Sequence, residues 1–190
     1  MSTVLDMRRR LEAHSRWLAL DPDGERLDLS GADLTKANLS GACLAEALLS
    51  GADLSGALLS AADLSGAELE QARLDGADLT AASLVKANLH RASLQGAVMK
   101  GAKMKRSDMG DTDLQRADLS EADCEGVLFA GADLRHADAR NAKLSHCLFD
   151  GALVYGLNLS GADLDGAKGS HVHFSRERDG SDTGDITRLH

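Results

Sequence analysis

The groups in this chain that could do chemistry are its 30 carboxylates, seven histidines and three cysteines. Their spacing gives them little to do. His171 and His173 stand two apart, as on one face of a strand, and would need a third ligand to hold a metal. None is evident, so they read as part of a polar tail. Cys43, Cys124 and Cys147 are odd in number and irregularly placed. That suits packing residues in a reducing compartment, not a disulfide framework. The chain has no GxSxG elbow, Walker loop, GxGxxG or HExxH. No cofactor is expected, and no enzyme. The carboxylates are numerous, but a repeat explains where they stand.

That repeat has a period of five. Leu29, Leu34, Leu39 and every fifth residue to Leu94 are leucine, and Met99, Met104 and Met109 follow in phase. Leu114, Leu119, Cys124, Phe129, Leu134, Ala139, Leu144, Phe149, Val154, Leu159 and Leu164 complete 28 units without a slip. Two residues before each stands a small residue, nearly always alanine, with a polar residue between them. Residues i and i+2 share a face of extended chain, and the recurring glycine suits a tight turn. A helix would smear this spacing around its circumference. A sheet would need the alternation to continue. The pattern therefore describes a chain that turns a corner every five residues around a Leu/Ala core: an all-β solenoid. Such a core leaves no cavity for a substrate.

The run "GADLTKANLSGACL" resembles the A-(D/N)-L-x-x motif of the pentapeptide repeat family, over residues 27–168. The resemblance implies a right-handed quadrilateral β-helix with four units per coil, hence about seven coils here. Residues 20 apart should then stack in columns. Within the coil of Phe129, the enlarged Phe129 and the shrunken Ala139 should face each other across the core.

The ends read differently. Residues 1–26 predict an N-terminal capping α-helix and a turn. Thr3 is the expected N-cap, Val4, Met7, Leu11 and Leu18 form the apolar stripe, and Trp17 plugs the open end. Residues 169–190 predict a degraded last unit, with Val172 and Phe174 back in phase, and then a mobile polar tail over 175–190. No apolar run is long enough to span a membrane and no signal peptide is seen, so a cytoplasmic protein is expected.

Charge is the only functional text on the surface. Residues 79–107 hold six bases and no acid, within an otherwise acidic chain of net charge −9. Bulk electrostatics do not favour direct nucleic-acid binding, and no aromatic residues interleave the bases for stacking. Lys86, Lys103, Lys105 and Arg106 read either as a solvated face or as a docking patch for an acidic protein partner. Family members that mimic duplex DNA bind DNA gyrase or topoisomerase IV. For that reading the candidates are the columns Asp33 with Asp53 and Asp113 with Asp133. Arg73 interrupts them, and a basic belt around the middle of the rod is expected beside them. Leu48, Leu58, Leu128 and Leu148 break the polar rule, and Leu48, Leu128 and Leu148 share a column that offers an association strip. Leu148 with Phe149 and Val154 suggests a homodimer through the C-terminal end. The expected function is a non-enzymatic protein-binding or scaffold module, with DNA mimicry as the alternative.

Overall fold

The computed structural model describes residues 2–174 and 183–184, with side chains from residue 6 to 174. Helix α1 spans Ser2–Leu18. From Asp28 onward the chain pairs with itself in parallel, residue i with residue i+20, from Asp28↔Leu48 to Leu153↔His173. Each coil therefore takes 20 residues, with four short extended segments and four turns. The first face is centred on the Asp28–Leu48–Glu68 column, the second on Asp33–Asp53–Arg73, the third on Asn38–Leu58–Asp78 and the fourth on Cys43–Asp63–Ser83. The first face lies opposite the third, and the second opposite the fourth.

The five-residue unit follows from where its backbone hydrogen bonds go. In the unit ending at Ala32, Ala32 N–H closes a turn onto Leu29 C=O at 3.0 Å. Leu29 N–H reaches Leu48 C=O at 2.7 Å, and Gly31 N–H reaches Ser50 C=O at 2.9 Å. Asp53 N–H reaches back to Ala32 C=O at 2.9 Å. One amide per unit, that of the first corner residue, has no place in this ladder. A buried or half-buried amide without a partner is costly. The residue two before it supplies one: Asp33 Oδ1 accepts from Thr35 N–H at 3.0 Å, Asp53 from Ser55 at 3.0 Å and Asp118 from Ser120 at 2.9 Å. The recurring Asp or Asn is thus an Asx turn built into the repeat.

The second corner residue has positive φ in every unit, glycine or not, as at Gly101 (φ 64) and Ala81 (φ 56). A single positive φ at the third turn position is the type II pattern. A Cβ on Gly101 would meet nothing within 4 Å. Gly101→Ala therefore isolates the left-handed penalty and should lower stability by about 1–2 kcal/mol. Ala81→Gly should shift the urea midpoint the other way, by less, because glycine also loosens the unfolded chain.

The interior is a stack of Leu and Ala with Met99, Met104 and Met109 fully buried in sequence. Phe129 and Phe149 lie above one another, ring centroids 5.2 Å apart. Buried Ala139 stands across from Phe129 in the same coil, as volume compensation requires. One inward position is chemically wrong for the core. Ser107 is 0% exposed, at a site where most units have alanine, and its Oγ has no partner. Ser107→Ala should stabilise the fold by about 1 kcal/mol or more, since a buried hydroxyl without a hydrogen bond is a net cost. Thermal melts of the pair would show it.

At the N-terminal end, Met7 and Leu11 pack against the core. The fully buried group there is His14, not Trp17. Trp17 is half-buried, stacked on the His14 ring at 5.7 Å, with the Arg26 guanidinium 5.5 Å from its ring centre. The apolar plug expected of Trp17 is instead a polar fastening, because α1 must meet unpaired backbone groups on the first coil. The helix begins at Ser2, so Thr3 lies inside its first turn and is not the N-cap. The Val4 side chain lies outside the described residues. At the other end, Val172 is buried and Phe174 packs on the core. Strand β1 (Val172–His173) pairs antiparallel with β2 (Thr183–Gly184). The rest of the segment expected to be a tail lies outside the described residues.

Candidate functional site

The 20-residue register sorts the charged side chains by face. The second face carries Asp33, Asp53, Arg73, Ser93, Asp113, Asp133 and Leu153 in one column. The fourth carries Cys43, Asp63, Ser83, Lys103, Asp123, Lys143 and Asp163. The two groups of candidate residues therefore stand on opposite faces of the rod.

The bases do not encircle the rod as a belt, which corrects the expectation from their run in the sequence. Lys103 is on the fourth face, and Lys86, Lys105 and Arg106 are at its corner with the first face. Counting by 20 adds residues that a linear reading missed: Lys143 on the same face, and Arg140 at its other corner beside Lys100 of the run. Only Arg91 of the original run lies well away, at the corner of the first and second faces, where it meets Asp111 at 3.9 Å. A run of bases along one coil must pass around four faces. What gathers them on one side is their place within the coil, a signal present in the sequence modulo 20.

Part of this charge is neutralised internally. Lys105 Nζ lies 2.7 Å from Glu125 and 3.5 Å from Asp123, both in the following coil. The Glu125 bond holds the ammonium above its ordinary range, and the same bond holds the Glu125 carboxyl below its own. Lys100 meets Glu121 at 3.2 Å, and Arg140 meets Asp138 of the third face at 2.7 Å. Asp123 Oδ1 is buried with no hydrogen-bond partner. Lys86, Lys103, Arg106 and Lys143 are exposed and make no ion pair among the described residues.

The acidic column is quieter than its composition suggests. Asp33 and Asp53 each have a carboxyl held below the usual range, Asp33 chiefly by the Thr35 amide and Asp53 chiefly by the Ser55 hydroxyl. Arg73 lies 3.6 Å from Asp53. Arg135 grips Asp133, with Nη2 donating at 2.6 Å and Nε at 2.9 Å. Asp113 accepts from Gln115 Nε2 at 3.3 Å and from the Gln115 amide at 3.1 Å. These carboxylates serve their own turns first and are partly neutralised by neighbours.

The outward leucines are few as a surface. Leu58 on the third face is 44% exposed and Leu128 on the first 39%. Leu48 and Leu148 are half-buried, and Leu153 is buried outright. Phe149 and Val154 are interior and present nothing to a second copy at the C-terminal end. The two inner thiols are inert. Burial raises Cys124 well above its ordinary value and pushes Cys147 up to about 12, and Cys147 Sγ donates to Cys124 C=O at 2.9 Å. Among the described residues no cluster of three or more His, Cys, Asp or Glu side chains could hold a metal, and no helix is long and apolar enough to cross a membrane.

The solved structures that align with the chain include HetL, an Arabidopsis thaliana protein and QnrB1. HetL, a pentapeptide repeat protein involved in heterocyst differentiation regulation from the cyanobacterium Nostoc sp. strain PCC 7120, is 28% identical over 88% of this chain and 96% of its own, with TM-score 0.49. A pentapeptide repeat protein of the Arabidopsis thaliana thylakoid lumen is 26% identical over 54% of this chain and 64% of its own, TM-score 0.39. QnrB1, a plasmid-mediated fluoroquinolone resistance protein, is 20% identical over 76% and 82%, TM-score 0.39. No curated protein matches. The family model for pentapeptide repeats matches in eight copies, over residues 25–51, 42–80, 72–111 and 112–151. With two thirds of its length so matched, the chain belongs to the pentapeptide repeat family, whose members form right-handed β-helices.

Proposed function

We propose that this protein is a non-enzymatic binding or scaffold module: a rod of about seven coils, capped by α1, that presents fixed columns of charge to a protein partner in the cytoplasm. The observation that carries this reading is the register. It holds the cations of the fourth face and the carboxylates of the second in straight columns on opposite sides. A backbone that already spaces the charges loses little freedom on binding, which favours recognition. Affinity capture with crosslinking tests it. A partner held by wild type should be lost on charge reversal of one face and kept on reversal of the other. A partner kept by both variants counts against the reading.

The alternative, a DNA mimic acting on gyrase or topoisomerase IV, has one observation in its favour: Asp33 pairs with Asp53, and Asp113 with Asp133, in adjacent coils of one column. Against it stand Arg73 and Arg135 and the structural work these acids already do. Asn in place of all four would keep each Asx turn and remove the charge. Inhibition of gyrase supercoiling by wild type, lost in the Asn variant, would favour mimicry. No effect at tens of micromolar would remove it.

A further inference from the structure

The fourth face carries cations that its own acids do not neutralise. In the four stretches 80–86, 100–106, 120–126 and 140–146, this face and its two corners hold seven bases against three acids. All three acids are engaged, Glu121 by Lys100 and both Asp123 and Glu125 by Lys105. Lys86, Lys103, Arg106 and Lys143 remain. Lys86 and Arg106 occupy the same corner position in consecutive coils, where the Lys86 amide donates to Lys105 C=O at 3.0 Å. Their backbones are one strand spacing apart, about 4.8 Å, and like charges so stacked repel. Lys103 and Lys143 flank Asp123 in the face column, and that Asp123 is already held by Lys105. Four exposed cations on one narrow strip thus make no ion pair among the described residues, although Asp163 follows Lys143 in the column and Arg106 lies in the field of Glu125.

We propose that this strip docks an acidic segment of a partner protein, extended along the rod axis with Asp or Glu side chains against Lys86, Lys103, Arg106 and Lys143. The inference deepens the protein-binding reading and rests on it. Four coils span three strand spacings, about 14 Å, the length of four or five extended residues. A narrow ligand fits better than a duplex. The strip's surplus is four positive charges in a chain of net charge −9, so the remaining surface carries −13. A duplex overhanging the strip would meet Asp118 and Asp138 on one side and Asp108 on the other. The strip also has no aromatic residue on which a base could stack.

Fluorescence anisotropy with the full chain tests this. The probes are a labelled ten-residue Asp/Glu peptide, a Lys-rich peptide of equal length and a 20-base-pair duplex. The acidic peptide should bind, with amide shifts confined to 83–86, 103–106 and 143–146. Its dissociation constant should rise tenfold or more in Lys103→Glu/Arg106→Glu. It should change less than twofold in Lys36→Glu, which reverses a distant cation at the corner of the second and third faces. Equal loss in Lys36→Glu would reduce the effect to net charge and overturn the assignment, as would tighter binding of the duplex. The Lys-rich peptide separates two failures. If it alone binds, on the acidic faces, the scaffold reading stands and this inference falls. If neither peptide binds at millimolar concentration, both fall.

Discussion

Replacing His14 with alanine should release α1 from the rod while the coils stay folded. His14 is fully buried where the helix meets the first coil. Its Nδ1 accepts the Leu27 amide at 3.1 Å, and its Nε2 lies 2.8 Å from Ala45 C=O. A backbone N–H facing Nδ1 leaves the proton on Nε2, so the ring is the neutral Nε2–H tautomer. Alanine orphans a buried donor and a half-buried acceptor together, a loss of about 2–5 kcal/mol from helix docking. Other contacts at this end are Arg10 to Asp28 C=O, Arg26 Nε to Glu46 C=O at 2.6 Å, and Met7 and Leu11 against the core. Trp17, the sole tryptophan, stacks on His14 and reports the event by fluorescence. Acid should do reversibly what the substitution does permanently. Burial lowers the His14 pKa, the Ala45 bond opposes this, and Arg26 lowers it further while Glu46 raises it. A released helix, with an ordinary histidine near pH 6.5, then binds more protons than the docked one. Docking is strongest above about pH 6.5 and weakens as pH falls toward the lowered native value. A Trp17 signal flat from pH 7.5 to 4.5 in wild type would refute this.

Truncating Phe129 to alanine should cost about 3–5 kcal/mol, together with Phe149→Ala the largest class of loss expected from a core position. Its ring is 0% exposed and stacks on Phe149. Across the same coil Ala139 has no atoms with which to close the gap. A leucine at 139 should be harmful in wild type, where the ring already fills the section, and should recover part of the loss in Phe129→Ala. Such opposite signs define coupled neighbours. Urea midpoints of the two single variants and the double variant measure it. Simple additivity would mean that the two positions do not share a cavity.

The architecture was legible in the sequence because the solenoid repeats one backbone event, and each repeat writes the same Ala and Leu. The columns were legible too: Asp33 over Asp53 and Lys86 beneath Arg106 follow from counting by 20. The role of the carboxylates was harder to see. Asp118 looks like surface charge, but its first partner is the Ser120 amide two residues on, an amide the coil ladder leaves over. The spacing Asp-x-Ser carried that signal. The distribution of bases was misread because Arg91 and Lys103 are close in sequence yet lie on different sides of the section. His14 had no sequence signal as a fastening, since one histidine in a helix does not declare which backbone groups it will meet. Trp17 attracted the assignment by size, but the docking site offers hydrogen bonds and not a hole.

A five-residue period inside a 20-residue coil also constrains how such a chain can change length. Duplicating one unit ahead of residue 100 leaves every inward residue inward and every turn a turn. It also advances all later residues by a quarter of the circumference, so Lys103 and Lys143 would leave the column of Ser83 and join that of Glu68 and Asn88. The core would not register the edit, but the surface map would be scrambled from that point on. Only insertions or deletions of whole coils keep each column on its own face, so length variants that retain binding should differ by multiples of 20 residues, whereas those that retain only folding can differ by five.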